Sequence, residues 1–303
     1  MTITKLKSGW QLFKQALAGD SDINYTEGSI ARVTLLLAIP MILEMAMESV
    51  FAIVDIFFVA GLGTEAVATV GLTEAVISLL YAIAIGLSMG ATALVARRIG
   101  ENDKEAASIA AGQVIWLGVF VSIIVGLIGI FFARDILALM GADAAVMETG
   151  ETYTQIMFGA CFSIVFLFLI NAIFRGAGDA TIAMRALWLA NGINIVLDPC
   201  FIYGVGPFPA LGVTGAAVAT NIGRTVGVLY GLYYLIGGGG RLQLHVADMG
   251  LKLKVVWSLI RISAGGVAQF LVSTASWVFL MQIVSGFGSS AVAGYTIAVR
   301  IVM

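Results

Sequence analysis

Long apolar runs constrain the fold of this chain more than any other feature of its sequence. Crossing the hydrocarbon core of a bilayer takes about 20 residues of helix, and seven runs reach that length. They lie at approximately 33–60, 67–96, 106–133, 152–174, 186–203, 211–236 and 257–284. Only 11% of the 303 residues are charged, less than half of the roughly 25% typical of soluble domains. The sequence therefore predicts an all-α polytopic membrane protein.

A shorter apolar run lies at the end of the sequence. It starts near Ser289 and stops at Met303. About 15 residues of helix rise only about 22 Å, which is less than the thickness of a bilayer core. We therefore expect an eighth span that is cut short, so that the chain is an N-terminal fragment.

Lysine and arginine are distributed unevenly among the connections. Cytoplasmic connections retain positive charge, so this asymmetry predicts the orientation. The N-terminal segment and the second, fourth and sixth connections hold Lys5, Lys7, Lys14, Arg32, Arg97, Arg98, Lys104, Arg175, Arg185, Arg241, Lys252, Lys254 and Arg261. The opposite connections hold only Arg134. We expect a multi-pass protein of the cell (inner) membrane with a cytoplasmic N-terminus, in which residues 1–31 form a cytoplasmic segment.

The scarce charge also excludes several classes of function. The sixteen basic residues are scattered and give no block for nucleic acid. Cys161 and Cys200 lie inside apolar runs, and the single His245 stands alone in a polar connection, so we expect no thiol or zinc chemistry. The sequence has no Ser, His and Asp set and no phosphate-binding loop. We therefore expect neither an enzyme, nor a nucleic-acid partner, nor an organic cofactor.

One short segment of the sequence is repeated. The residues after the first run, GLGTEAVA at 61–68, recur after the seventh run as GFGSSAVA at 286–293, with five identities in eight. A second copy that begins at the seventh helix implies a six-helix unit, and parallel repeats are a transporter architecture. We predict a six-helix N-lobe over 32–240, and an interlobe loop with helices 7–8 of a second lobe over 241–303. Chance similarity among small residues is the alternative.

Carboxylates lie inside the apolar runs, where each is costly. They are Glu44, Glu48, Asp55, Glu74 and Asp198. A charged residue at mid-bilayer costs about 2.5–3.5 kcal/mol on insertion scales and usually marks an ion pathway. Arg224 is the one intramembrane cation that we expect before the cut-short eighth run. We therefore expect an acidic interior unless the carboxylates are protonated or hold cations.

Two of these carboxylates are predicted to lie at the same depth. Asp55 and Asp198 each precede the outer end of their run by five residues, and Asn194 shares a helix face with Asp198. Carboxylate and amide oxygens suit Na⁺, and two close carboxylates also suit an exchangeable proton. The alternative is that Asp198 only supports a helix broken by Pro199.

The first helix carries an acidic stripe above a proline. Glu44, Glu48 and Asp55 share one face, and Pro40 removes a backbone hydrogen bond below them. This pattern predicts a moving helix with a hinge at Pro40. A static kink beside a satisfied polar stripe is the alternative.

These stretches resemble the multidrug and toxic compound extrusion (MATE) family. The matching motifs are Pro40, Asp55 followed by GLG at 61–63, NAIFRGAGD at 171–179, LDPCFIYG at 197–204 and GAAVAT at 215–220. The resemblance covers essentially the whole chain. It implies twelve helices in two lobes when complete, and secondary active antiport of drugs or toxic organic compounds against Na⁺ or H⁺.

The resemblance also implies roles for particular residues. In the subfamily with a fifth-helix Asn and Asp pair, the cation-coupling residues map to Asp55, Asn194, Asp198 and Thr220, which are metal ligands if the ion is Na⁺. Substrate-binding residues are predicted to be Asn171, Glu48 and Glu44. Because Glu48 replaces an amide that is frequent in relatives, we expect cationic substrates.

The sequence leaves two other functions open. A lipid-linked saccharide flippase of the same superfamily is the second hypothesis, although an acidic interior disfavours an anionic headgroup. A non-transporting membrane fragment is the third hypothesis, because alternating access in such transporters requires the movement of two lobes against each other. We expect small organic compounds and membrane lipid as partners, and a monomeric protein.

Overall fold

The structure is a computed structural model that describes residues 2–19 and 29–302, with the side chains of 9–19, 29–245 and 247–300. The predicted N-terminal segment therefore falls partly outside the described residues, as do the side chains of Lys5 and Lys7 and the whole of Met303.

Helices account for nearly all of the described chain. They are α1 (Thr2–Ala18), α2 (Ile30–Ala60), α3 (Thr64–Gly100), α4 (Lys104–Leu139), α5 (Ala144–Gly159), α6 (Phe162–Ala177), α7 (Ala180–Tyr203), α8 (Val213–Gly237), α9 (Leu253–Ser285) and α10 (Ser289–Val302). A short 3₁₀ helix, Val246–Met249, lies in the linker between α8 and α9. Within residues 2–19 and 29–302 there is no strand, so the all-α prediction is confirmed.

The seven predicted spans correspond to α2, α3, α4, the α5–α6 pair, α7, α8 and α9. Five of them, α3, α4, α5–α6, α7 and α9, are long and apolar enough to cross a membrane by length and composition. Helices α2 and α8 are 31 and 25 residues long and carry buried charged side chains. These features support a multi-pass membrane protein.

Two helices contain an internal proline. Helix α2 continues through Pro40, and α7 continues through Pro199 as far as Tyr203. The alternative of a helix broken at Pro199 is therefore not supported, because the four residues after this proline stay helical. Asp198 consequently lies inside a helix and does not cap one.

The repeated segment has the same backbone geometry in both copies. Gly61 caps the C-terminus of α2 with φ −65° and ψ −14°, and Gly286 caps the C-terminus of α9 with φ −62° and ψ −14°. The next helices start after Gly63 (φ +108°) and Gly288 (φ +93°), a backbone region that only glycine adopts without strain. The α2–α3 and α9–α10 corners are therefore structural as well as sequence repeats.

Helix α3 lies at the centre of the bundle because glycines let its neighbours approach. A Cβ on Gly86 would overlap the backbone of Val267 in α9, and a Cβ on Gly90 would overlap the side chain of Ser263. Small residues at helix contacts in membranes allow such close packing. These glycines fix α9 against α3, and hence the second repeat against the first.

Replacing Gly86 with alanine is therefore expected to destabilise the protein by about 1–3 kcal/mol, because backbone must move to accept the methyl group. Gly265→Ala is the matched control on α9, since a Cβ there meets nothing within 4 Å. Gain in helix propensity should leave the control neutral or more stable by up to about 1 kcal/mol. Thermal unfolding in detergent checks both, and equal midpoints for the two variants would contradict the packing argument.

The connections at one end of the bundle carry most of the basic residues, and we call this the basic end. Helix α1 docks there: Thr181 Oγ1 donates to the Ala16 carbonyl at 2.8 Å, and Arg185 Nη2 donates to the Leu17 carbonyl at 2.9 Å. Lys14 lies over the ring of Trp10. The α1 helix is thus held against the start of α7.

The linker between α8 and α9 is also held at the basic end. Gln113 of α4 donates to the Gly250 carbonyl at 3.0 Å and accepts from the Lys252 amide at 2.8 Å. Asp179, before α7, accepts from the Arg241 amide at 2.6 Å. Burial raises the pKa of the Asp179 carboxyl above its ordinary value, and the contact with Arg241 opposes that rise. The linker is therefore an ordered connection.

Candidate functional site

Two neighbouring cavities open along α2. The first, of about 300 Å³, lies beside Asp55, Glu74, Thr220 and Arg300, and we call it the Asp55 cavity. The second, of about 260 Å³, is lined by Glu44, Asn171, Arg175 and apolar side chains, and we call it the Glu44 cavity. Glu48 and Phe168 border both cavities. Six of the seven predicted binding or coupling residues therefore lie in these cavities or in direct contact with a residue that lines them.

The seventh, Asp198, lies behind the Asp55 cavity in a polar cluster with Asn194 and Thr220. Asn194 Nδ2 donates to Asp198 Oδ1 at 3.2 Å and to Thr220 Oγ1 at 3.1 Å. Asp198 is fully buried, and Asn194 and Thr220 are buried as well. Within the described residues, Asn194 Oδ1 and Asp198 Oδ2 have no hydrogen-bond partner. The cluster thus presents two buried, unpaired oxygens, which are acceptors for a cation or a proton.

Small residues explain why the cluster forms. Asn194 and Asp198 are four residues apart and so share a face of α7. A Cβ on Gly223 of α8 would overlap the Ala190 carbonyl, and a Cβ on Gly215 would overlap the Phe201 carbonyl. Helices α7 and α8 therefore approach closely at two points, and Thr220 lies between those points.

Asp55 is predicted to join this cluster, but its direct partners are elsewhere. Asp55 Oδ2 lies 3.2 Å from Nη1 of Arg300 on α10, and the same guanidinium contacts Glu74 of α3. Across the described side chains, no hydrogen bond joins Asp55 to Asn194, Asp198 or Thr220. Asp55 shares its cavity with Thr220. The four residues are thus neighbours, and three of them form the hydrogen-bonded unit.

A dedicated metal centre of the usual ligand types is not present in the part of the chain that is described. No group of three His, Cys, Asp or Glu side chains there is placed to hold a metal ion. The Asn194 cluster has one carboxylate, one amide and one hydroxyl, which are oxygen ligands suited to a hard monovalent cation.

The predicted substrate residues Glu44 and Asn171 do lie together. Arg175 Nη1 lies 3.0 Å from Glu44 Oε1, and Asn171 Nδ2 donates to the same oxygen at 3.2 Å. Asn171 Oδ1 has no partner among the described atoms. The Glu44 cavity is otherwise lined by Met41, Met45, Leu167, Phe168 and Leu187. It combines an apolar wall with one ion pair and one free amide oxygen.

Glu48 links the two cavities through a second arginine. Glu48 Oε2 accepts from Asn191 Nδ2 at 2.9 Å, and Glu48 Oε1 lies 3.6 Å from Arg224 Nη2. Arg224 also donates to the Tyr81 hydroxyl and stacks over the rings of Tyr81 and Phe51, with centroid distances of 5.5 and 5.8 Å. The Arg224 charge is therefore fixed between α2, α3 and α8.

Three arginines, Arg175, Arg224 and Arg300, face the embedded carboxylates where one was predicted, so the described interior is less acidic than expected. Each of Glu44, Glu48, Asp55 and Glu74 has an arginine within 4 Å. Sequence reasoning placed Arg175 in a connection and did not use Arg300, Tyr81 or Asn191. The sequence held one sign of each buried arginine. Arg300 lies inside an apolar run, and Arg175 lies one helical turn beyond Asn171.

The chain is similar to known membrane transporters. The family model MatE matches residues 40–200. The chain is 28% identical to the FAD transporter of Shewanella oneidensis, over 90% of this chain and 60% of that protein. It is 28% identical to the probable multidrug resistance protein YoeA of Bacillus subtilis, over 88% of this chain and 58% of that protein. Among solved structures, a MOP superfamily transporter from Pyrococcus furiosus superimposes with a TM-score of 0.81 at 31% identity, over 92% of this chain and 61% of that chain.

The chain thus spans about three fifths of the length of the relatives that it matches. These relatives carry the names of transporters or resistance proteins, and none is named as an enzyme.

Proposed function

Because this chain belongs to the MatE family of membrane transporters, we propose that the protein exports organic compounds in exchange for Na⁺ or H⁺. The observation that carries this proposal is the pair of buried, unpaired oxygens on Asn194 and Asp198. A buried polar atom without a partner is costly, so an arriving cation or proton would be stabilised there.

The coupling site in this proposal consists of Asn194, Asp198 and Thr220, with Asp55 lining the same cavity as Thr220. An ion bound there drives export only if the ion and the substrate stabilise different conformations. A ligand that binds two conformations with equal affinity does not shift the equilibrium between them. Helix α2 carries Asp55 and also Glu44 and Glu48 of the second cavity. It is therefore the element through which ion and substrate would affect each other, with Pro40 as its proposed hinge.

The substrate site in this proposal is the Glu44 cavity. Methionine side chains adapt their shape readily, and Met41 and Met45 give the cavity a wall that accepts varied apolar groups. Glu48, with 38% of its side chain exposed, and the free oxygen of Asn171 are acceptors for a cationic group. This combination supports drug-like organic cations as substrates.

We propose that residues 32–240 form the N-lobe and 241–303 the linker and start of a second lobe, as the repeated corners at Gly61 and Gly286 support. We also propose insertion in the cell (inner) membrane with the basic end on the cytoplasmic side, a monomeric protein and contact with lipid.

A second candidate is transport of an anionic cargo such as a lipid-linked saccharide. The charge argument against it is weaker than the sequence indicated, because Arg175, Arg224 and Arg300 neutralise most of the embedded carboxylates. One relative is named an FAD transporter, and FAD is anionic. The guanidinium of Arg224 beside the Asp55 cavity is the observation that favours this cargo.

Transport assays separate these candidates. Inside-out membrane vesicles from cells that express the complete gene product are loaded with Na⁺ or acidified inside, each gradient being imposed alone. We expect one of the two gradients to drive accumulation of ethidium, a fluorescent organic cation, above the level in vesicles without the protein. Accumulation of FAD without ethidium would favour the anionic cargo. Accumulation of neither would contradict transport and leave a non-transporting membrane protein.

A further inference from the structure

Arg300 joins the second repeat to the first lobe through buried ionic contacts. Only 9% of its side chain is exposed. Its Nη1 lies 3.2 Å from Asp55 Oδ2 and donates to the Ala52 carbonyl of α2 at 2.6 Å, while Nη2 contacts Glu74 of α3. One guanidinium of α10 thus holds two carboxylates from two different helices.

The repeat architecture does not require this arginine. The two copies are offset by 225 positions, so the counterpart of Arg300 in the first copy is Ala75. The counterparts of Asp55 and Glu74 in the second copy are Leu280 and Val299, both apolar. The α2–α3 corner and the α9–α10 corner have the same geometry without sharing these charges. The ionic cluster is therefore an addition to the repeat and calls for an explanation of its own.

The position of Arg300 relative to the proposed coupling site supplies that explanation. Arg300, Asp55 and Thr220 line one cavity, and Thr220 is hydrogen-bonded to Asn194. A guanidinium already provides the positive charge that a coupling ion would bring to Asp55. Two cations on one buried carboxylate repel each other strongly, because the surroundings screen them poorly. Binding of an ion at Asp55 and binding of Arg300 are consequently in competition.

We propose that Arg300 is a tethered counter-cation that competes with the coupling ion for Asp55. In the state described here Arg300 occupies the carboxylate and α10 is held against α2 and α3. An ion that takes Asp55 releases Arg300 from α2, and with it the ionic contact between α10 and that helix. Arg300 is thus a positioning residue that converts ion binding into relative movement of the lobes. This inference rests on the proposed ion-coupled function.

The test compares Na⁺ binding to the purified complete gene product and its variants by isothermal titration calorimetry. If Arg300 occupies Asp55 in nine tenths of the molecules or more, its removal raises apparent affinity at least about tenfold, since apparent Kd is intrinsic Kd divided by the competent fraction. We therefore expect Arg300→Gln to bind at least tenfold more tightly and Arg300→Lys, which keeps the charge, to change affinity less. Arg134→Gln, whose ion pair with Glu151 is 69% exposed on the arginine side, is the control and should match the wild type.

A second measurement keeps the inference testable if Arg300→Gln does not fold, or if the ion is H⁺. The pair Ala52→Cys and Val299→Cys, at two positions that line the Asp55 cavity, reports the contact of α2 with α10 through its rate of cross-linking. With Arg300 present, we expect Na⁺ in place of choline, or a lower pH, to slow cross-linking at least threefold relative to the same cysteine pair in the Asp55→Asn variant under the same conditions, because a lower pH by itself also slows thiol chemistry.

The outcomes separate the inference from the function on which it rests. The competition would be overturned if Arg300→Gln bound the ion no more tightly than the wild type, or if neither ion altered the rate of cross-linking. The proposed coupling site would still be supported in that case if Asp198→Asn abolished ion binding. Absence of any response of the wild type to Na⁺ and to H⁺ would overturn both.

Discussion

Replacing Asp198 with asparagine is expected to abolish gradient-driven export while leaving folding and membrane insertion intact. The asparagine Oδ1 can still accept the hydrogen bond from Asn194 Nδ2, so the α7–α8 contact keeps its geometry. The substitution removes the negative charge of the fully buried Asp198 and can turn its unpaired acceptor into a donor. A cation or proton then has no anionic ligand in the cluster, and its binding cannot favour one conformation. Ethidium accumulation in vesicles should fall to the level without the protein under both gradients.

Two further variants make this result specific. Asp55→Asn should also abolish gradient-driven accumulation, because it removes the other carboxylate of the proposed site. Glu151→Gln, at the exposed pair with Arg134, removes the same charge at a residue that lines neither cavity and should leave transport unchanged. Equal amounts of all variants in the membrane fraction exclude a folding defect. Undiminished, gradient-dependent transport by both aspartate variants would contradict the coupling site.

The positions of the helices could be predicted because apolar length alone decides them. A run of about 20 apolar residues has to satisfy its backbone inside a bilayer, which leaves the helix as the only solution for an isolated segment. The corners were also predictable, because Gly63 and Gly288 recur in the sequence and adopt the same positive φ. The helix ends at the basic end were predicted less accurately. Helix α3 continues to Gly100, beyond the predicted end near residue 96, and α4 starts at Lys104, before the predicted start near residue 106.

The cluster of Asn194, Asp198 and Thr220, the proposed coupling site, was predictable in part. Its α7 half follows from helical spacing, since Asn194 and Asp198 are four residues apart. Thr220 depends on the α7–α8 packing through Gly215 and Gly223, and only the family resemblance pointed to it. The predicted depth in the membrane was the same for Asp55 and Asp198. Depth does not determine the direction in which a side chain points around its helix axis, so the partner of Asp55 could not be predicted. The Asp55 side chain meets Arg300, 245 positions away in sequence.

The partners of the embedded carboxylates could not be predicted, because the sequence does not show which helices lie next to each other or which faces they share. Each ion pair joins residues on different helices, and the sequence records no distance between helices. Arg175 shows the difficulty most plainly: it lies one residue past the predicted end of its run, where the positive charge reads as a cytoplasmic marker. Helix α6 extends to Ala177, so Arg175 lies in its last turn and meets Glu44 of α2.

Replacing Glu44 with glutamine is therefore expected to destabilise the protein by about 3 kcal/mol, because it leaves the Arg175 charge without a partner in a site where 18% of that side chain is exposed. A guanidinium cannot lose its proton at accessible pH, so it has no means of neutralising itself. The double variant Glu44→Met with Arg175→Met removes both charges and should recover most of the loss, since apolar replacement of a buried pair is often neutral or stabilising. Midpoints of thermal unfolding in detergent measure both effects.

The exposed pair of Arg134 and Glu151 calibrates this comparison. Its charged atoms are 3.5 Å apart, and 69% of the Arg134 side chain and 35% of the Glu151 side chain are exposed, so Glu151→Gln should change stability by at most about 1 kcal/mol. If Glu44→Gln were no more destabilising than Glu151→Gln, Arg175 would have to reach solvent at the basic end instead of pairing with Glu44. The Glu44 cavity would then expose a free carboxylate, and its preference for cations would rest on two acidic groups. A large loss that the double methionine variant recovers would instead leave Glu48 as the carboxylate available to a substrate.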